Sequence, residues 1–186
     1  MKPFRKHVAL AVDGGGIRGV IVTRALSILE DHLGEPADET FRLLAGTSTG
    51  SIISAGIASG LFGLELHRLY TELGDEIFRK RLRTLLWPLT RYRYPQKPLR
   101  EALASYLGER SMGALWDSDL PTDVVITAFD LIENRTRFIK PFKEYYADWT
   151  VVKAVLASSA APTFFPPVEG RYVDGGVGSY HNPAYL

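Results

Sequence analysis

The first part of the chain repeats one arrangement: a short apolar strand, a sharp glycine turn and an apolar helix. Residues 7–12 form the first apolar run, and apolar side chains at helical spacing follow its glycine turn over residues 20–33. Residues 41–45 form a second apolar run, which leads through another glycine turn into a helical segment over residues 51–59. Strands and helices that alternate in this way predict an α/β domain with a largely parallel central sheet flanked by helices.

The later segments continue the alternation and lead to a third glycine turn. We predict helices over residues 64–78, 99–107 and 150–159, and strands over residues 123–129, 136–139 and 172–173. The third turn, Asp174-Gly175-Gly176, follows the last of these strands. Binding sites of parallel sheets form at the carboxyl ends of their strands, so the three glycine turns are expected to converge at one edge.

Composition limits the chemistry and the compartment. The 186 residues include no cysteine, which excludes disulfide scaffolds, thiolate zinc sites and cysteine nucleophiles. The apolar run at residues 8–12 is shorter than a signal-peptide core, and no stretch approaches the roughly 20 apolar residues of a transmembrane helix. We therefore expect a cytoplasmic protein with one domain over residues 1–186.

The second glycine turn, Gly46-Thr47-Ser48-Thr49-Gly50, has the G-x-S-x-G form of a nucleophile elbow. An elbow of this kind exposes its serine on a strained turn, needs small flanking residues, and ends at a helix N-terminus that favours negative charge. The pattern also fits a glycine-rich helix start in which Ser48 only caps the helix. Its position between a predicted strand and a predicted helix favours the nucleophile.

The first glycine turn contains Gly14-x-Gly16-x-x-Gly19 and fits two kinds of site. Its backbone amides suit the pyrophosphate of a dinucleotide, and they equally suit the oxyanion of a tetrahedral acyl intermediate. A dinucleotide site needs an acidic residue about 20 residues later at a strand end, whereas Glu35, Asp38 and Glu39 lie in a polar loop. A module that binds a nucleotide or a lipid through the Gly14–Gly19 loop, without hydrolysis, remains the alternative to an enzyme.

A serine nucleophile needs a base, and two candidates lie in or near the third glycine turn. Asp174 is favoured because two glycines frame it after a short strand, and a carboxylate within hydrogen-bond reach takes the serine proton directly. An ordinary aspartate, with a pKa of about 3.9, is a feeble base, so burial has to raise its pKa. His181 stays open as the other candidate, because the remaining histidines lie on predicted helices or at the wrong end of a strand.

Taken in chain order, the three glycine turns resemble the patatin-like phospholipase family. The motifs are Asp13-Gly-Gly-Gly-Ile-Arg-Gly19, Gly46-Thr-Ser-Thr-Gly50 and Asp174-Gly-Gly176, with Ala157-Ser-Ser-Ala-Ala-Pro-Thr-Phe-Phe-Pro166 and Asn182-Pro183 around the last one. The resemblance runs from about Val8 to the end of the sequence. It implies a three-layer α/β sandwich and a hydrolase of lipid acyl esters that uses a serine–aspartate dyad, with no metal or cofactor.

The resemblance also implies roles for single residues. It makes Ser48 the nucleophile and Asp174 its base, and it puts the oxyanion hole at the backbone amides of Gly14, Gly15 and Gly16. A supporting role falls on the basic side chain of the first turn and on the motif glycines, namely Arg18, Gly19, Gly46, Gly50, Gly175 and Gly176.

Two features depart from the family's pattern. His181 stands where such proteins often have asparagine, so a role for it stays open. The sequence stops at Leu186, whereas family members usually continue with further helices and strands. We therefore expect a single patatin-like catalytic domain that is trimmed at its C-terminus.

A cationic segment interrupts an otherwise mildly acidic chain. Residues 79–100 contain eight basic residues and no acidic one, mixed with aromatic side chains. Such a mixture suits a membrane interface, where each basic group near an anionic surface contributes about 1 kcal/mol. The residues predicted to dock at a membrane surface are Arg81, Arg83, Trp87, Arg91 and Arg93. A solvated connection whose aromatic side chains pack on the body is the other interpretation, and no nucleic-acid partner is expected.

Overall fold

The computed structural model describes residues 7–76, 91–120 and 122–186. Within these residues the strands are β1 Ala9–Val12, β2 Leu43–Thr47, β3 Asp123–Asp130, β4 Arg135–Ile139 and β5 Tyr172–Asp174. The helices are α1 Gly19–Leu33, α2 Ala37–Thr40, α3 Thr49–Ala58, α4 Gly63–Glu76, α5 Gln96–Leu107, α6 Met112–Trp116, α7 Glu144–Ala147 and α8 Val151–Ser158. Single turns of 3-10 helix lie at Gly16–Arg18, Gly175–Val177 and Pro183–Tyr185.

The sheet is parallel through its centre and carries two antiparallel additions. Its order is β1-β2-β3-β4, in which β1, β2 and β3 are parallel and β4 is antiparallel to β3. The predicted α/β class, with a largely parallel sheet flanked by helices, is therefore confirmed. The last strand is not a further parallel addition, because β5 runs antiparallel to β3.

Strands β2 and β5 share one edge of β3 and point at each other. β2 pairs with the first part of β3 as far as Thr47, which lies opposite Thr127. β5 pairs with the next part, where Asp174 lies opposite Ala128. Because β4 occupies the other edge of β3 at these positions, β2 and β5 lie end to end on the same edge. β2 runs along β3 and β5 runs against it, so their carboxyl ends meet there.

Helix α3 is buried along its whole length beneath this junction. It follows β2 directly, contacts β1, β2 and β3, and all ten of its residues are buried. Its small and apolar side chains permit this burial, since none of them carries a charge that would have to reach water. α1 and α4 pack against each other and against α3, while α8 packs on β3 and β5. The sheet edge where β2 and β5 meet is thus supported by continuous hydrophobic core.

The structure adds three short helices, α2, α6 and α7, that periodicity does not predict. α2 lies in the segment interpreted as a polar loop around Asp38. Helices of four or five residues are too short to establish a helical repeat of apolar side chains. α6 does carry a local signal, because Ser111 caps it by accepting the Ala114 amide at 3.1 Å. The predicted strands and longer helices are present with shifted ends, apart from residues 77–78, which lie outside the described residues.

The described ranges contain neither a membrane-spanning helix nor a cluster of metal ligands. No helix there combines the length and the apolar character that crossing a bilayer requires. In the same residues, no group of three or more histidine, aspartate or glutamate side chains could hold a metal ion. The candidate functional groups lie instead where β2 and β5 meet.

Candidate active site

Ser48 lies on the sharp turn between β2 and α3. Its backbone has a φ of 55° and a ψ of −120°, a positive-φ conformation that is strained for a residue with a side chain. The flanking glycines permit the turn: a Cβ on Gly46 would overlap the backbone of Gly50, and a Cβ on Gly50 would overlap the carbonyl group of Val12. The turn therefore has the strained backbone and the close contacts that a nucleophile elbow requires.

Two neighbouring serines fix the backbone of this turn. The Ser48 amide donates a hydrogen bond to Oγ of Ser158, which is fully buried at the end of α8, at 2.9 Å. The Ser51 hydroxyl donates to the Ser48 carbonyl oxygen at 2.6 Å. The role of Ser158 was not predicted, because the two bonded residues are 110 positions apart in the sequence. The available signal was the Ala157–Pro166 stretch, which carried the family resemblance without indicating a contact.

The Asp174 carboxylate lies beside the Ser48 hydroxyl, which lowers the pKa of the carboxyl group. Oδ1 of the carboxylate accepts the amide of Gly176 at 2.8 Å. Asp174 is only 7% exposed, and this burial raises the pKa of its carboxyl group above the ordinary value. The Ser48 hydroxyl, the Gly176 amide and the nearby His181 oppose the rise in pKa but do not cancel it. The carboxylate therefore holds a proton more tightly than an aspartate in water does.

His181 contacts the first and the third glycine turns. Its carbonyl oxygen accepts the amide of Gly14 at 3.2 Å. Its imidazole lies so close to both turns that a Cβ on either Gly14 or Gly176 would come within 2.9 Å of it. Within the described residues, no hydrogen bond joins the Ser48 hydroxyl to His181. His181 is thus in the site without being the hydrogen-bond partner of the serine.

The first glycine turn differs from the prediction at Gly14. The Gly14 amide already donates to the His181 carbonyl oxygen, so it is not available to an oxyanion. The amides of Gly15 and Gly16 have no acceptor in the part of the chain that the structure describes. Arg18 holds the loop, because its amide and its Nε donate to the Gly15 carbonyl oxygen at 3.3 and 3.2 Å. The predicted set of three free amides is therefore reduced to two.

Two more of the predicted supporting glycines allow close packing around the site. A Cβ on Gly175 would lie 2.7 Å from the carbonyl oxygen of Thr127, whose hydroxyl is 2.6 Å from that of Thr47. A Cβ on Gly19 would lie between 2.6 and 2.8 Å from the ring of Tyr70. Larger residues at either position would push the glycine turns away from the strand junction.

A cavity of about 550 Å³ opens over these groups. Ser48 and Asp174 form part of its wall. Apolar side chains form much of the remainder, namely Ile17, Ile52, Leu99, Phe164, Phe165 and Val177. The volume lies in the range of roughly 300–1,000 Å³ that is usual for ligand sites. The cavity suits an apolar chain whose polar end lies at the serine.

The predicted membrane-docking residues are described only in part. Arg81, Arg83 and Trp87 lie outside the described residues. Arg93 is fixed to the cavity wall, because its amide donates to the carbonyl oxygen of Thr163 at 2.9 Å and its guanidinium lies 5.1 Å from the ring centre of Phe164. The adjacent Tyr94 stacks on Phe164, and Arg91 is exposed. At the described end of the cationic segment, Tyr94 therefore packs on the body of the protein, as expected for a solvated connection.

The sequence matches the model of the family described as patatin-like phospholipase over residues 10–185. The chain belongs to this family. It is 33% identical over 184 residues to an intracellular phospholipase A2 of Caenorhabditis elegans, covering 94% of this chain and 16% of that protein. It is 33% identical over 180 residues to a cGAMP-activated phospholipase of Pseudomonas aeruginosa, covering 92% of this chain and 52% of that protein. The chain therefore spans about half or less of the length of these curated relatives.

The fold of this patatin-like phospholipase domain also matches a solved structure. VipD from Legionella pneumophila superposes with a TM-score of 0.59 at 14% sequence identity, covering 93% of this chain and 46% of VipD. At this level of identity the match concerns the fold alone. The resemblance that the three glycine motifs indicated is confirmed by the family match.

Proposed function

We propose that this chain is a lipid acyl hydrolase of the phospholipase A type that cleaves fatty-acyl esters through an acyl-enzyme on Ser48, without a metal. The observation that carries the proposal is the position of the Ser48 hydroxyl beside the buried carboxylate of Asp174, in the wall of an apolar cavity. The names of the relatives, an intracellular phospholipase A2 and a cGAMP-activated phospholipase, support the same substrate class.

In the first half of the reaction, Ser48 Oγ forms a bond to the ester carbonyl carbon while its proton passes to Asp174. The carbonyl oxygen becomes an oxyanion, and the amides of Gly15 and Gly16 donate to it. When the tetrahedral intermediate collapses, the bond from carbon to the alcohol oxygen breaks. The alcohol leaves with the proton from Asp174, and the acyl group stays on Ser48.

In the second half, water takes the place of the alcohol. Asp174 accepts a proton from the water as its oxygen attacks the acyl carbonyl carbon, and the same two amides hold the second oxyanion. Collapse releases the fatty acid and returns the proton to Ser48 Oγ. A carboxylate whose pKa is raised by burial suits both directions of this transfer better than an ordinary aspartate does.

Labelling with a fluorophosphonate, followed by assay of the fatty acids released from a mixed lipid extract, tests the proposal. Wild type is expected to label and to release fatty acids, and Ser48→Ala is expected to do neither. Ser105→Ala is the matched control, because that hydroxyl lies exposed on α5 and, within the described residues, donates to the carbonyl oxygen of Ala102. A folded wild-type protein that neither labels nor hydrolyses, yet binds a lipid or a nucleotide, would support the binding module instead.

The mouth of the cavity also supports a peripheral contact with a membrane through residues 79–100. Ile17, Phe164 and Val177 line the cavity and are 42%, 37% and 45% exposed, so apolar side chains surround the entrance. The described end of the cationic segment is fixed beside Phe164 by Arg93. Apolar side chains flanked by basic ones fit an anionic bilayer surface, from which a lipid would enter the cavity directly.

Co-sedimentation with phosphatidylcholine vesicles, with and without phosphatidylglycerol, tests this contact. We expect stronger binding to the anionic vesicles, and weaker binding after Ile17→Asp or after reversal of charge at Arg81 and Arg83. Ile28→Asp is the control, because Ile28 is exposed on α1 and does not line the cavity. Equal binding to both vesicles that none of these changes affects would exclude docking through this segment.

A further inference from the structure

One side chain connects the turn of the proposed nucleophile with the loop of the proposed oxyanion donors. Thr49 follows Ser48 directly and begins α3. Its hydroxyl donates a hydrogen bond to the carbonyl oxygen of Gly16 at 2.7 Å. The position of residue 16 relative to residue 48 is therefore set through a single intervening residue.

Gly16 has a φ of +57°, and among the described residues no atom lies within 4 Å of the point where its Cβ would be. The hydrogen bond from Thr49 is a direct restraint on its carbonyl group. Its neighbour Gly15 is held from the other side, through the two hydrogen bonds that its carbonyl accepts from Arg18. An oxyanion donor has to be preorganised within a few tenths of an ångström to stabilise the transition state. The Thr49 hydroxyl supplies that restraint at Gly16.

Thr49 is itself fixed by Tyr70 from α4. The Tyr70 hydroxyl donates to the carbonyl oxygen of Thr49 at 2.7 Å and lies 2.7 Å from its Oγ1. Tyr70 is only 2% exposed, and its ring packs over Gly19 at the other end of the first glycine turn. Burial raises the pKa of Tyr70, so its hydroxyl keeps its proton and remains a donor. Tyr70 thus contacts both Thr49 and the first glycine turn, and it fixes their relative position.

We propose that Thr49 and Tyr70 are positioning residues that align the Gly15 and Gly16 amides with the Ser48 hydroxyl. This inference rests on the proposed function, because alignment matters only if the two amides receive an oxyanion. Neither side chain takes or gives a proton in the reaction. Their effect is therefore expected in the transition state and not in the binding of the substrate.

The test compares hydroxyl deletions with matched deletions elsewhere. Tyr70→Phe and Thr49→Val remove the two hydroxyls at nearly constant volume, and Thr49→Ser retains the donor. Tyr106→Phe and Thr71→Val are the controls, because both remove hydroxyls that lie outside the cavity and are exposed. Each variant is assayed with a soluble p-nitrophenyl ester, for inhibition by a trifluoromethyl ketone, and for melting temperature.

We expect Tyr70→Phe and Thr49→Val to lower kcat by about 10- to 100-fold with little change in KM. The trifluoromethyl ketone, whose adduct with serine carries an oxyanion, should bind more weakly by a similar factor. Thr49→Ser and the two controls should stay near wild type in all three measurements.

Two results would overturn the inference in different ways. If Tyr70→Phe and Thr49→Val retained wild-type kcat and ketone affinity while Ser48→Ala was inactive, the positioning role alone would be wrong. If Ser48→Ala retained activity, the proposed function would fail first. A purely structural role would be indicated by a variant with a lowered melting temperature and a raised KM, in which the affinity for the ketone falls no more than the affinity for the substrate.

Discussion

Thr47 and Asp174 occupy successive positions on the same edge of β3, opposite Thr127 and Ala128. β2 and β5 approach this point from opposite directions, so the residue after Thr47 and the last residue of β5 meet. This relationship explains how Ser48 and Asp174, which are far apart in the sequence, come to lie side by side. Because main-chain pairing with β3 sets this approach, the relative position of Ser48 and Asp174 depends on β3 more than on any loop.

Replacing the proposed base should remove most of the activity. Asp174→Asn keeps the size of the side chain but cannot accept the Ser48 proton, so kcat is expected to fall by about 10²- to 10⁴-fold. The measurement is steady-state hydrolysis of a soluble ester. His181→Ala serves as comparison and should retain far more activity. The reverse ranking of these two variants would show that the histidine is the base.

The pH dependence of activity should report the buried carboxyl group. The proposed mechanism needs the ionised form of Asp174, and burial raises the pKa of this group above its ordinary 3.8. The acidic limb of the pH profile of kcat/KM is therefore expected at a pH above 3.8. His181 lowers the pKa of Asp174 by its charge, so His181→Asn should move the limb to higher pH. A limb that stays in place, or moves to lower pH, would contradict this electrostatic coupling.

The same shift in pKa has a consequence for stability. A carboxyl group whose pKa is higher in the folded state favours folding when protonated, and this contribution is lost as the pH rises through the folded pKa. Asp174→Asn should consequently raise the melting temperature at neutral pH more than at pH 3. Thermal melts of both proteins across this pH range measure the difference.

A substitution in the oxyanion loop should separate folding from catalysis. Gly15 has an extended φ of −172°, and the nearest atoms to its Cβ position are 3.9 Å away, so a side chain fits there. Gly15→Val should therefore fold, yet its branched side chain would obstruct the oxyanion. We expect a loss of about 2.7–4 kcal/mol of transition-state stabilisation, the value of one oxyanion donor. A wild-type rate in a folded Gly15→Val protein would remove Gly15 from the site.

A buried ion network should hold β5 in place. Asp130 is fully buried, and its carboxylate accepts hydrogen bonds from Arg171 and Arg137, which lower its pKa. This stabilisation is present above the ordinary pKa of 3.8 and is lost as the pH falls through the lowered value. Asp130→Asn should lower the melting temperature and the activity together, because Asp130 pairs with Tyr172 in β5. Glu101→Gln, which breaks an exposed ion pair, should change neither.

Removal of divalent metals should leave hydrolysis unchanged. In the proposed reaction, Asp174 accepts and returns the proton, and backbone amides stabilise the oxyanion by donating hydrogen bonds to it. No step uses a cation. Activity on a soluble ester after treatment with EDTA measures this. A loss that added Ca²⁺ or Mg²⁺ restores would require a different mechanism.

The order of strands and helices, and the position of each glycine turn, could be predicted because they depend on local patterns. Apolar periodicity identifies α1 and α3, and the glycines around Ser48 mark a turn between strand and helix. The direction of β5 could not be predicted, because three residues of strand carry no information about their partner. The occupied amide of Gly14 and the contact between Thr49 and Tyr70 depend on long-range packing, which no motif records.

The meeting of β2 and β5 on β3 also sets the order in which the site is completed during synthesis. β2 and the Ser48 turn leave the ribosome early, whereas β3 and then β5 emerge much later. A nascent chain that has not yet formed β5 has not yet brought Asp174 beside Ser48. A chain that ends before β5 therefore lacks the carboxylate that the proposed mechanism requires, and we expect it to be inactive.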